Sequence, residues 1–206
     1  APMEREAIRP HMLGNFSDLL VAVESHPAML RYLDNVASVG SDSMLVERKQ
    51  LRPGRASAAG PPRAAGLNEN LAREILELHT LGVNGGYSQA DVIEFAKAIT
   101  GWGLPLPREL ADAREAFAFR AIAHEPGTRL VMGRAYADTG VEQGRAILRD
   151  LALHPATATH LSLKLARHFV SDAPPDALVR NMAQAYLASG GSLTALPIIE
   201  TTEGDV

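Results

Sequence analysis

Glu74 and Glu77 stand three positions apart in the segment LNENLAREILELHT, with Asn70 and Arg73 close by. On a helical wheel of about 100° per residue, Asn70, Arg73, Glu74 and Glu77 make one polar stripe. Leu71, Ile75 and Leu78 flank it on one side and Leu76 on the other. Carboxylates spaced this way project side by side, as general acid–base chemistry and hard-metal coordination require. In a catalytic reading Glu74 and Glu77 are acid, base or ligand, and Arg73 steadies an anionic substrate or intermediate. A plainer reading also fits. Arg73 is four positions from both Glu69 and Glu77, so the stripe is equally an ion-pair network. His79 falls in the middle of the apolar face, where a histidine is more often a hydrogen-bonded core residue than a ligand.

A second candidate is His124-Glu125, just before Pro126-Gly127. Adjacent imidazole and carboxylate in a turn can hold a metal or pass a proton, and they also serve as ordinary turn residues. Together Asn70, Glu74, Glu77, His124 and Glu125 offer an oxygen and nitrogen ligand set for a divalent metal. With no cysteine in the chain, any metal must rest on such donors. His26 and His154 each precede a proline and read as helix caps, and His160 and His168 read as surface or groove residues. No phosphate-binding glycine loop, G-x-S-x-G elbow or H-E-x-x-H helix occurs, and no cofactor-binding segment is assigned.

The elements that must position these residues are helical. The chain has 206 residues and is rich in alanine, with 46% apolar residues and few aromatics, which favours closely packed helices. Apolar spacing predicts a helix over 5–24, a short one from Pro27, and others from Asn68 towards Gly82, from Ser88 to Thr100, and over 141–153, 155–170 and 175–189. Ser88 with Asp91 suggests a capping box, and Tyr87 with Val92 a hydrophobic staple. A charged helix is expected over 108–114, and a frayed tail after Leu196. Residues 36–66, rich in Gly and Pro with Arg48, Lys49, Arg52, Arg55 and Arg63, read as a mobile loop. Alternation at Phe117, Phe119, Ala121 and Ala123, then a turn and Leu130-Val131-Met132, predicts one small β-hairpin with His124-Glu125 at its bend. The expected fold class is therefore mainly α: an irregular helical bundle with one small β-hairpin, in a single domain over 1–206.

Net charge −4 and a pI near 6.0 argue against a nucleic-acid binder. No apolar stretch is long enough to be a transmembrane segment, and no signal pattern is visible.

The stretches HPAMLRYLDN, GLNENLAREILELHTLGVNGGYSQADV followed by AKAITGW, HEPGTRLVMG and HPATATHLSLKLARHFVSDAPP resemble the bacterial family catalogued as domain of unknown function 1800, in its middle and later part. The resemblance runs from about Ile8 to Ser192. It implies a largely helical protein, often exported to the periplasm or beyond, with a possible exported sulfatase-like partner protein. Family members usually carry an upstream segment resembling F-W-H-N-H-F, which is not seen here. The expectation is a chain partial relative to the family, in which that segment would complete a site with Asn68, Glu69, Asn70, Arg73, Glu74 and Glu77.

Two functions follow as expectations. One is a hydrolytic or metal-assisted enzyme acting on a small-molecule or polymer substrate through Arg73, Glu74, Glu77 and His124. The other is a non-catalytic exported binding or scaffold module for a protein partner or a cell-envelope polymer.

Overall fold

Two corners of one design join four of the helices. In the computed structural model, which describes residues 2–50, 66–105 and 117–195, α1 (Phe16–Glu24) turns into α2 (Pro27–Tyr32) through Ser25 and His26. A second corner, through Leu153 and His154, links two later helices, Val141–Ala152 and Pro155–Phe169. Proline suits the first helical position because its φ is already helical and the N–H it lacks would have no partner there. The preceding histidines sit in extended backbone, at φ −69 and ψ 139 for His26 and φ −70 and ψ 139 for His154. The Nδ1 of each accepts the backbone N–H two residues on, from Ala28 and Ala156, at 3.1 Å in both cases. Both histidines are caps, as their His-Pro context predicts.

Between the corners lie α3 (Met44–Gln50), α4 (Asn70–Glu74), which runs on into a π-helical turn at Ile75–His79, and α5 (Gln89–Ala98). The later corner joins α6 (Val141–Ala152) to α7 (Pro155–Phe169), and α8 (Asp176–Ala188) follows. The capping box of α5 is present: Ser88 Oγ accepts from Asp91 N at 3.2 Å, and Asp91 Oδ2 accepts from Ser88 N at 2.8 Å. The fold is mainly α. α7 lies along α8 and α1 across α6, over a core that includes Leu30, Ile75, Phe95, Ile147 and Tyr186, all fully buried. Gly144 lets α6 approach closely, since a Cβ there would stand 2.7 Å from the buried ring of Trp102. No helix among the described residues is long and apolar enough to cross a membrane.

The β-structure is small and pairs differently from the sequence expectation. β1 (Trp102–Gly103) pairs antiparallel with β2 (Ala118–Phe119), and β3 (Arg129–Val131) with β4 (Arg134–Tyr136). The hairpin turn is Met132-Gly133, both with positive φ (50 and 74), which matches the twist that two-residue hairpin loops need. The expected first arm instead meets the chain beyond α5, and Ala121–Ala123 closes into a 3₁₀ turn. His124-Glu125 consequently lies between the two ribbons and not at a hairpin bend.

Three further expectations are corrected. The helix over 5–24 is two pieces, a π-helical turn at Glu4–Ile8 and α1. Between them the backbone of residues 14–16 bonds to residues 191–193, with Phe16 N donating to Gly191 O at 2.9 Å and Leu193 N to Gly14 O at 2.9 Å. The described part of the 36–66 loop contains α3, and Ser38, Val39, Gly40 and Ser43 are buried. Asn35 anchors its start, with Nδ2 donating to Ile99 O and Trp102 O, each at 3.2 Å. Leu13, one of the apolar residues inside the expected 5–24 helix, is 75% exposed. The basic residues Arg52, Arg55 and Arg63, the helix over 108–114 and the tail after Leu196 lie outside the described residues.

Candidate functional site

The helix that starts at Asn70 changes winding halfway. In the π-helical turn at Ile75–His79 the backbone bonds reach one residue further than in an α-helix, so later side chains lag behind their α-helical phase. Leu78 therefore leaves the buried face, and His79 swings towards the end of α1. The displaced carbonyls find other partners. Ile75 O accepts from Thr80 Oγ1 at 2.7 Å, and Leu78 O lies 3.1 Å from His160 Nε2 and 3.5 Å from Lys164 Nζ of α7.

His79 there meets Glu24. Its Nδ1 stands 2.9 Å from Oε1 of Glu24, an ion-pair contact more than an in-line hydrogen bond. Glu24 is 1% exposed, and its Oε2 has no hydrogen-bond partner. Burial raises the Glu24 pKa above its ordinary value, and the bond and charge of His79 only partly oppose this. For His79, burial acts downward, but the Glu24 contact and charge outweigh it and leave its pKa raised. The pair lines a cleft of about 410 Å³. Leu19, Leu20 and Val23 of α1, Leu78, and Leu161 and Leu165 of α7 supply most of its apolar wall, and Lys164 is its further charged lining residue.

The residues singled out from the sequence fall elsewhere. Arg73 Nη2 bonds Glu69 Oε2 at 3.0 Å and Gln89 Oε1 at 2.9 Å, and Gln89 Nε2 bonds Glu69 Oε2 at 2.7 Å, closing a network between α4 and α5. Glu77 lies beside the hydroxyl of Tyr87, whose pKa is raised first by burial and then by that carboxylate. Glu74 acts on His79 by charge alone. Asn70 is exposed, and its N–H donates to Asn68 Oδ1 at 2.9 Å, so Asn68 caps the helix.

His124 and Glu125 are both buried in a junction of their own. His124 Nδ1 lies 3.0 Å from Thr100 O, and Thr100 Oγ1 accepts from Glu125 N at 2.8 Å. The Glu125 carboxylate accepts from Asp42 N at 2.9 Å and Ser41 Oγ at 3.2 Å. These bonds tie residues 41–42 to the end of α5, which is structural work. Among the described residues no group of three or more His, Asp or Glu side chains is placed to hold a metal ion. The five-residue ligand set of Asn70, Glu74, Glu77, His124 and Glu125 is therefore not assembled.

Glu24 is the residue that sequence reasoning missed, although a signal for it exists. Phe16, Leu20 and Glu24 follow one another at intervals of four, so the carboxylate continues the buried stripe of α1.

Fold and site together define a mainly helical protein with a buried acid paired to a half-buried histidine at an apolar cleft. The chain belongs to the family described as Protein of unknown function (DUF1800), whose model matches residues 1–198. No curated protein and no solved structure matches it.

Proposed function

We propose that Glu24 and His79 form an acid–base site and that the protein is an enzyme of hydrolytic type. The observation that carries this reading is the 2.9 Å contact of His79, which is 31% exposed and lines the cleft, with the buried Glu24 carboxylate, whose Oε2 has no hydrogen-bond donor. A folded chain rarely keeps a buried carboxylate oxygen unpaired for stability, and perturbed titration in a cleft is a mark of working groups. With Nδ1 held by Glu24, proton exchange falls to Nε2 of His79. A water gives its proton to that nitrogen while its oxygen bonds to a carbonyl carbon. The leaving alcohol or amine then takes the proton as its bond to carbon breaks.

The hydrolytic expectation thus moves from Glu74 and Glu77 to a different pair. A binding module without chemistry is favoured by one observation, the predominance of leucine and other apolar side chains in the cleft wall. Turnover of a panel of p-nitrophenyl esters and p-nitroanilides separates the two. Glu24→Gln and His79→Gln are each expected to lower it by roughly 100-fold or more. Equal turnover in both variants and the parent chain would leave binding as the function.

A further inference from the structure

We propose that the cleft takes the aliphatic acyl chain of an ester or amide, with the scissile carbonyl between the Glu24–His79 pair and Lys164. This rests on the acid–base reading and adds the substrate class. Three observations carry it.

The first is the distribution of polarity. The apolar walls from α1, the π-turn and α7 are leucine and valine side chains with Phe16, and the charged lining groups are Glu24, His79 and Lys164. An occupant matched to this lining is apolar along its length and polar at one end. The second is the imidazole of His79, which is 31% exposed, lines the cleft and is held through Nδ1 by the buried Glu24 carboxylate. It is the group of the pair that meets the attacking water. The third is charge. Lys164 lines the cleft with no carboxylate partner among the described residues and only a 3.5 Å approach to Leu78 O. Its positive charge suits a carbonyl oxygen gaining negative charge and the carboxylate product. It opposes an alkylammonium head.

Volume sets the length. At roughly 30 Å³ of liquid-like volume per water-sized group, the cleft of about 410 Å³ accommodates about fourteen carbons.

Straight-chain alkanoates from octanoate to octadecanoate, titrated calorimetrically below their micelle concentrations, test this without requiring turnover. Affinity is expected to climb roughly fourfold per methylene and to level off near about fourteen carbons. Decyltrimethylammonium should bind more weakly than decanoate. Lys164→Glu should reverse that order, and Leu161→Trp and Leu165→Trp, each checked for a parent-like melting curve, should weaken decanoate at least about tenfold. The absence of any length dependence, tighter binding of the alkylammonium to the parent chain, or unchanged binding in both well-folded tryptophan variants overturns the proposal. Its failure is distinct from that of the acid–base reading. Ester turnover that needs Glu24 and His79 without chain-length dependence sinks the acyl site alone. Length-dependent binding with turnover indifferent to both residues sinks the acid–base reading, and with it the scissile carbonyl.

Discussion

The two His-Pro corners have nearly the same backbone and the same cap, yet they differ at the residue that ends the first helix. In the α1–α2 corner it is Glu24, and in the α6–α7 corner it is Ala152, buried to 1% and 0% exposure. At the second corner a methyl suffices, and the position contributes its carbonyl, which accepts the Tyr186 hydroxyl at 2.7 Å. A carboxylate is therefore not what turns the chain. What Glu24 adds is the contact with His79 and a buried oxygen without a donor, and neither has a counterpart in the other corner. The comparison separates the part of this motif that builds the fold from the part that is available for chemistry.

The strongest way to break the comparison is to make the corners alike in the unfavourable direction. Ala152→Glu would bury a carboxylate where no imidazole waits, and it is expected to destabilise by about 3–5 kcal/mol, or to prevent folding. Urea denaturation of that variant at near-parent stability would show that the second corner has room and partners for an acid. The reverse exchange, Glu24→Ala, should alter stability far less, because it removes a carboxylate that burial already penalises.

Next in size is His79→Ala, which leaves Glu24 buried without its imidazole. A loss of about 2–4 kcal/mol at pH 8 is expected, shrinking at pH 5 where Glu24 can take a proton. Glu24→Ala combined with His79→Ala should recover most of it. If the two losses simply add, the pair does not interact as the 2.9 Å contact implies.

The corners were legible in the sequence because His-Pro fixes both a cap and a first helical residue within two positions. The Ser88–Asp91 box was legible for the same local reason. The Glu24–His79 site was not, on two counts. Glu24 reads as the polar end of a helix until its four-residue spacing from Leu20 and Phe16 is noticed. His79 reads as core because a wheel assumes α-helical winding, and the π-turn at Ile75–His79 is a main-chain event that the side-chain period does not announce. The pairing of β1 with β2 was hidden because it joins segments far apart in the chain, whereas β3 and β4 meet across a two-residue turn. α3 was masked by the glycine and proline of the residues that follow, although Met44, Leu45 and Val46 break the polar run. Arg73, Glu74 and Glu77 are close in sequence but turn to different partners, and His124 and Glu125 belong to a separate junction.

A smaller effect tests the pair through pH. Both groups have raised pKa values, so the folded chain holds more protons than the unfolded one, and stability falls as pH rises. For Glu24 the loss begins near the ordinary carboxyl value of 4.5, and for His79 near 6.5. Asp91 and Asp138 are shifted down, Asp138 chiefly by the Gly127 N–H bond and Asp91 by its bonds to Ser88 and Met132 against an opposing burial effect. They act in the opposite sense, but at acid pH. The interval above 6.5 therefore isolates the pair. Melting temperature is expected to decline from pH 6.5 to 9 in the parent chain and to lose that slope in His79→Gln. A flat parent profile would mean that the contact does not hold a proton.

The smallest effect concerns what the corners share. His26→Ala and His154→Ala each remove one side-chain acceptor from a helix start and should cost about 1 kcal/mol, with His→Asn at either site restoring most of it, since asparagine caps well. The two losses need not be equal. Nε2 of His26 also lies 3.5 Å from Glu6 Oε2, and that nitrogen is buried, so the first corner is tied to the segment leading into α1 while the second is not so tied. A larger loss at His26 that falls to the His154 value once Glu6 is replaced by Gln would assign the difference to this contact. Because Glu6 is 49% exposed, its share is small. Equal losses at both histidines, with no response to Glu6→Gln, would show that only the shared cap matters, and that what distinguishes the corners is confined to Glu24.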